Sequence, residues 1–125
     1  MDENTISRHI VDAAIEIHRN LGPGLLESAY QQCLAYELAT RGISFEMEKP
    51  IPVVYKGVKL DCGFRLDLLV AGLVVVEVKS VDELAPIHEA QTLTYLRLTG
   101  CKLGILLNFN VPLMRDGIKR IVLGL

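Results

Sequence analysis

The sequence predicts an α/β fold: two helices, three strands, a third helix and two further strands, forming a mixed central sheet flanked by helices within a single domain over residues 1–125. Three observations lead there. Up to Arg41 the apolar residues recur at three- and four-residue steps, the helical period. After Gly42 the period shortens to that of extended chain. A helical segment near Ala85–Leu98 then separates two apolar, strand-like runs, the pattern of a strand–helix–strand crossover.

In chain order, Ile6, Ile10, Ala13, Ala14, Ile17 and Leu21 give one apolar face to a helix from about Thr5 to Leu21. Gly22-Pro23-Gly24 breaks it. A second helix is expected from about Leu26 to Arg41, burying Ala29, Cys33, Leu34, Ala35 and Leu38, with Gly42 as its left-handed C-terminal residue. Phe45–Tyr55 reads as one strand, held toward a sheet edge by Pro50 and Pro52. Lys56-Gly57 turns the chain into a second strand, Val58–Val70, bent at Gly63. Val70-Ala71-Gly72 fits a hairpin loop leading to a third strand, Leu73–Ser80. The third helix opens at Ala85-Pro86, where proline suits the first turn, and ends at Gly100. Lys102–Phe109 is nearly all apolar and predicts a strand covered on both faces. A loop from Val111 to Gly117 leads to a short last strand, Ile118–Leu123.

Half of the residues are hydrophobic, enough for a real core in a chain of 125 residues without a disulfide or structural metal. Cys33, Cys62 and Cys101 are odd in number and far apart, neither a disulfide framework nor a zinc knuckle, so a reducing cytoplasm is expected. The Met1-Asp2-Glu3-Asn4 start is acidic and lacks a hydrophobic signal core, and no membrane partner is expected. A net charge of −2 argues against blanket attraction to phosphate, but not against a carboxylate-centred enzyme that binds cations.

The chemistry concentrates in the second and third strands. Glu77 and Lys79 interrupt the run Leu73-Val74-Val75-Val76-Glu77-Val78-Lys79 and share one face of it. Alone, the pair reads equally as a salt bridge at a solvated strand end. Asp67, however, sits among apolar neighbours in the preceding strand. A three-residue loop at 70–72 pairs Leu69 with Leu73, sets Asp67 opposite Val75, and leaves Glu77 one diagonal step away on the same face. A two-residue loop would throw the carboxylates onto opposite faces. Two carboxylates in a partly apolar pocket repel unless a cation lies between them, and oxygen ligands favour Mg²⁺ or Mn²⁺ over zinc.

Asp67, a hairpin, then Glu77-Val78-Lys79 resembles the signature of the PD-(D/E)XK nuclease superfamily. Leu66 stands where the strict motif has proline. The resemblance implies a restriction-endonuclease-like αβββαβ core, here from Leu26 to Phe109, with an extra N-terminal helix and a C-terminal strand. Gly24-Leu25-Leu26-Glu27-Ser28-Ala29-Tyr30 matches the G-x-x-E-x-x-Y motif of one small family within it, and implies that Glu27 reaches the metal. Glu27 could equally be a favourable first-turn anion, and Tyr30 a core aromatic. Gln91 and Tyr95, four apart on one helix face, are similar to the Q-x-x-x-Y element of the exonuclease-like branch, though a packed Tyr beside a Gln would look the same. The resemblance also reaches Asn108-Phe109.

It implies a Mg²⁺- or Mn²⁺-dependent phosphodiesterase acting on nucleic acid, DNA above all, without strong sequence specificity. Glu27, Asp67, Glu77 and the Val78 carbonyl are the expected metal ligands; Asp67, Glu77, Lys79, Gln91 and Tyr95 are the expected catalytic set. Arg65 and His88 are candidate phosphate contacts, as are Lys119 and Arg120 from the tail. His9 and His18 lack partners at metal spacing. Glu27, Asp67, Glu77 and Lys79 together account for the net charge, so the rest of the chain is balanced. The alternatives are a non-catalytic nucleic-acid-binding or assembly module that keeps the fold, and an accessory protein acting through partners. The expected sheet edges leave homodimerisation open.

Overall fold

Helix α1 spans Glu3–Leu21 in the computed structural model, which describes residues 1–125. Asp2 caps it, its carboxylate accepting the Thr5 N–H at 2.8 Å, and Ile6, Ile10, Ala13, Ala14 and Ile17 form its buried face as the periodicity requires. Helix α2, Glu27–Thr40, buries Leu34, Ala35 and Leu38 together with Tyr30. Cys33 and Ala29, expected inside, are only half-buried. Gly42 follows α2 at φ 70°, the left-handed conformation expected of it.

The central sheet has five strands in the order β1-β4-β5-β6-β7. They are β1 Phe45–Pro50, β4 Arg65–Val70, β5 Val74–Lys79, β6 Leu103–Asn108 and β7 Ile118–Val122. Pairing is antiparallel except between β5 and β6, which run parallel on either side of helix α3, Pro86–Thr99. This is the expected crossover. A 3₁₀ turn, Met114–Gly117, leads into β7.

Two strands expected whole are divided. Phe45–Tyr55 breaks at Ile51-Pro52, where Pro52 has no N–H to continue the ladder and the Ile51 N–H turns to the Phe64 carbonyl at 2.9 Å. Val58–Val70 breaks across Asp61–Phe64, with Gly63 at φ 76°. The pieces β2 (Val53–Tyr55) and β3 (Val58–Leu60) form their own two-stranded hairpin, turned by Lys56 and Gly57 as expected, outside the main sheet. Pro50 does lie on an edge strand.

The β4–β5 hairpin also differs by a step. Val70 pairs with Val74, so the connecting residues are 71–73 rather than 70–72. Ala71 (φ 53°) and Gly72 (φ 68°) are both left-handed, and the Leu73 N–H closes the turn on the Val70 carbonyl at 3.0 Å. Leu68↔Val76 is the last β4–β5 pair, and Asp67 and Glu77 follow it on their two strands.

The core lies on both sheet faces. Val74, Val76 and Val78 of β5 pack with Leu103, Ile105 and Leu107 of β6 against the apolar faces of α1 and α2. Val75 packs on the other face with Leu66, Leu69 and Leu96 of α3. All six residues of β6 are buried, as a strand covered on both sides should be. Gly104 permits the close approach of α3: a Cβ there would meet Thr92 Cγ2 at 2.7 Å. No helix is long and apolar enough to cross a membrane.

Candidate active site

Strand alternation puts Glu77 on the face of Val75, toward α3, and the β4–β5 register brings Asp67 to meet it. The two carboxylates replace part of the backbone ladder. Glu77 Oε2 accepts the Asp67 N–H at 2.9 Å, and Asp67 Oδ2 accepts the Val78 N–H at 2.8 Å. Each side chain thus reaches across to the other strand's backbone. The alternation of β4 is interrupted here, since Leu66 packs under α3 while Leu68 and Val70 pack under α1 and α2.

These are costly places for charge. Glu77 is 5% exposed, and burial, then the charge of Asp67, pushes its carboxyl up to about 8. Burial also raises Asp67, against the lowering effects of the Val78 N–H and of Lys79. No cation of the protein lies within salt-bridge distance of either carboxylate, so the reading of Glu77 and Lys79 as a simple ion pair does not hold. Lys79, two residues along the same strand, is half-buried and acts on both carboxylates only through its field. Burial, then the charges of Glu77 and Asp67, raises the Tyr95 phenol, so α3 presents a protonated hydroxyl toward the pair.

A family model of the PD-(D/E)XK nuclease superfamily matches residues 4–121. The chain belongs to that superfamily. No curated protein and no solved structure matches it.

For a PD-(D/E)XK chain the question is whether a divalent cation fits this pair. The donor chemistry is suitable: a buried Glu77 and a half-buried Asp67 carboxylate, mutually repelling, each with one oxygen held by a backbone N–H and the other left over, and no protein cation to neutralise them. The Val78 carbonyl leaves β5 on the side of its N–H, toward Asp67. A divalent ion would remove the repulsion that burial has concentrated there. The structure does not assemble a ready group of three Asp, Glu, His or Cys ligands.

Glu27, the expected further ligand, has its charge felt at Asp67, and its carboxylate is engaged at the end of β5. Its Oε2 accepts the Ser80 N–H at 3.2 Å, and the Ser80 hydroxyl donates to the Leu25 carbonyl at 2.8 Å, so the α2 N-terminus and the end of β5 hold one another. Tyr30 is a core aromatic, stacked on Phe109 with centroids 4.3 Å apart. Its hydroxyl donates to the Gly22 carbonyl at 2.6 Å and accepts the Leu25 N–H at 3.2 Å, fixing the loop that presents Glu27. The other PD-(D/E)XK candidates are scattered. Gln91 is exposed on α3, one turn from Tyr95. Arg65 is exposed at the outer end of β4, where the interrupted alternation does not carry it onto the face of Asp67. His88 is a helix cap: its Nδ1 accepts the Ala85 N–H at 3.0 Å, which leaves Nε2 as the ring's donor. Lys119 lies 3.5 Å from Glu89, and Arg120 donates to Asn4, both at the surface. His18 is engaged with the Val111 carbonyl at 2.7 Å.

Two residues had no role assigned to them from the sequence. Asn108, 2% exposed and aligned with Lys79 across β5–β6, accepts the Val81 N–H at 3.1 Å and donates to the Val81 carbonyl at 3.0 Å. It clamps the chain just past Lys79. Its only sequence signal was a polar residue at the end of an apolar strand. Glu48 lies across β1 from Asp67 at φ 50°, and its charge raises both Asp67 and Glu77. Alternation of Phe45, Met47 and Lys49 reads Glu48 as mere solvent face, and nothing local signals the left-handed backbone.

Proposed function

We propose that this chain is a Mg²⁺- or Mn²⁺-dependent nuclease of the G-x-x-E-x-x-Y kind that hydrolyses phosphodiester bonds of DNA without strong sequence specificity. The observation that carries the reading is the pairing of buried Glu77 with half-buried Asp67, each bonded to the other strand's backbone, which is expensive for the fold and has no protein cation to relieve it.

Asp67, Glu77 and the Val78 carbonyl would hold the ion. When bound, it would lower the pKa of water and offset negative charge on the phosphate. Lys79 supplies positive charge at the mouth of the pair, where the phosphate gains negative charge as water attacks phosphorus and the bond to the leaving oxygen breaks. Tyr95 and Gln91 offer donors from α3 that orient the phosphate. Glu27, through Ser80, keeps the end of β5 in place.

Asp67→Ala, Glu77→Ala and Lys79→Ala should each abolish cleavage of DNA while leaving the circular dichroism spectrum intact. Removal of divalent ions with EDTA should do the same. Wild-type protein that leaves single-stranded, double-stranded and branched DNA and RNA uncut in Mg²⁺ and in Mn²⁺ would count against hydrolysis.

A second reading is a binding or assembly module that keeps the fold without catalysis. In its favour, one oxygen of each central carboxylate is already taken by backbone. Salt-dependent DNA binding unaffected by Glu77→Ala, with no cleavage, would select it.

A further inference from the structure

Beside the carboxylate pair, the hairpin of β2 and β3 stands off the main sheet with one apolar face uncovered. Val53 pairs with Leu60 and Tyr55 with Val58, so these four side chains share a face. Tyr55, Val58 and Leu60 are all exposed. That face runs into a groove of about 360 Å³ between the hairpin and α3, lined by Val53, Phe64, Ile87, Leu98, Gln91 and Tyr95. Phe64 is 46% and Ile87 58% exposed. A two-stranded hairpin contributes little stability alone, and large exposed apolar patches mark interaction sites.

Two features name the occupant. Tyr95, which feels the charges of both Glu77 and Asp67, lines the groove with Gln91 one helical turn away. Tyr95 is thus the groove residue that lies within the field of the carboxylates. Further, the stretch from Pro50 to Arg65 carries Lys56, Lys59 and Arg65 against Asp61 alone, a positive excess in a chain of net charge −2. Lys56 lies 5.4 Å from the Tyr55 ring centroid. Exposed rings edged by cations suit a polyanion with free aromatic faces.

We infer that this groove binds the unstacked bases of single-stranded nucleic acid, with Phe64 as the main stacking surface and Lys56 and Arg65 along the backbone path. Duplex bases are covered by their neighbours and could not use such a surface, whereas single strands are bound through stacking on aromatic side chains beside basic residues. The inference rests on the hydrolytic reading only for its purpose: it makes single strands, or frayed ends, the form delivered to Asp67 and Glu77.

The test is fluorescence anisotropy with the full chain and Ca²⁺ as the only divalent ion. The probes are a labelled oligothymidylate, the same strand annealed to oligoadenylate, and an abasic strand of equal length. Oligothymidylate should bind more tightly than either of the others. Phe64→Ala should raise its Kd about 5- to 100-fold, the range expected for loss of one base stack, and Phe64→Trp should restore it. Ile87→Glu, on the opposite wall and already exposed, should weaken binding independently of any effect of the Phe64 variants on folding. Equal affinity for the abasic strand would overturn the inference, leaving phosphate attraction only. So would tighter binding of duplex, or a dimer dissolved by Phe64→Ala with oligothymidylate affinity unchanged, which would make the groove a contact between copies. Base-dependent binding without cleavage in Mn²⁺ would sink the hydrolytic reading while supporting the groove. Cleavage indifferent to bases and to Phe64→Ala would do the reverse.

Discussion

Glu77 is the residue at which function and stability oppose each other. Its ordinary carboxyl value is 4.5, and in the fold burial and Asp67 move it up to about 8. Between those values the folded state keeps a proton that the unfolded state has lost. Stability therefore falls as pH rises through that window; the penalty is absent below it and complete above it. One proton sets a limiting slope of about 1.4 kcal/mol per pH unit. Glu77→Gln, which keeps an acceptor for the Asp67 N–H, should flatten this part of the stability profile. In EDTA it should raise Tm above that of wild type at pH 8 and change it little at pH 5. Parallel Tm–pH profiles for the two proteins would show that Glu77 is not the strained group. Protons and divalent ions compete for the same oxygens, so Mn²⁺ affinity should weaken as pH falls below about 8. At this scale the sequence was informative because Asp67, Glu77 and Lys79 are charges in apolar strands. Glu48 and Asn108 were hidden because their roles depend on partners in other strands.

At the scale of elements, the end of β5 is held from two sides, and the holding is structural. Asn108 binds both backbone groups of Val81, and Glu27 binds the Ser80 N–H. Asn108→Ala would strand the Val81 N–H and leave the Val81 carbonyl only the longer Asn110 contact, and should cost about 1–3 kcal/mol, read as a shift in urea midpoint. It should also lower cleavage by misplacing Lys79, and Asn108→Asp, which restores only the acceptor, should recover part of each. Gly117 supports the same point from the 3₁₀ turn, since a Cβ there would run into the Asn108 carbonyl. Gly117→Ala should therefore destabilise by about 1–3 kcal/mol, as overpacking does, although its φ is unexceptional. Unchanged stability in both variants would mean that the clamp is not formed. The helices were legible to within a few residues because their signal is local periodicity with glycine and proline at the ends. The hairpin 53–60 was not. Alternation continues through Ile51-Pro52, and only pairing shows that the chain has left the sheet.

Across the whole molecule, the order of helices and strands and the parallel β5–α3–β6 unit were readable, because a crossover helix between two apolar strands admits few arrangements. The β4–β5 register was readable only in parity. The loop sits one residue later than its glycine suggested, and beyond Leu68↔Val76 the two carboxylates bond to the opposite strand's backbone. A buried Glu77 repelled by a half-buried Asp67 is the main reason to expect a cation. The most direct test is a crystal soaked in Mn²⁺ and measured at the manganese absorption edge. The account predicts an anomalous peak bridged by the Asp67 and Glu77 carboxylates, absent in Glu77→Gln. Well-ordered carboxylates still bonded only to the Asp67 and Val78 N–H groups, with no peak between them at pH 8, would contradict it.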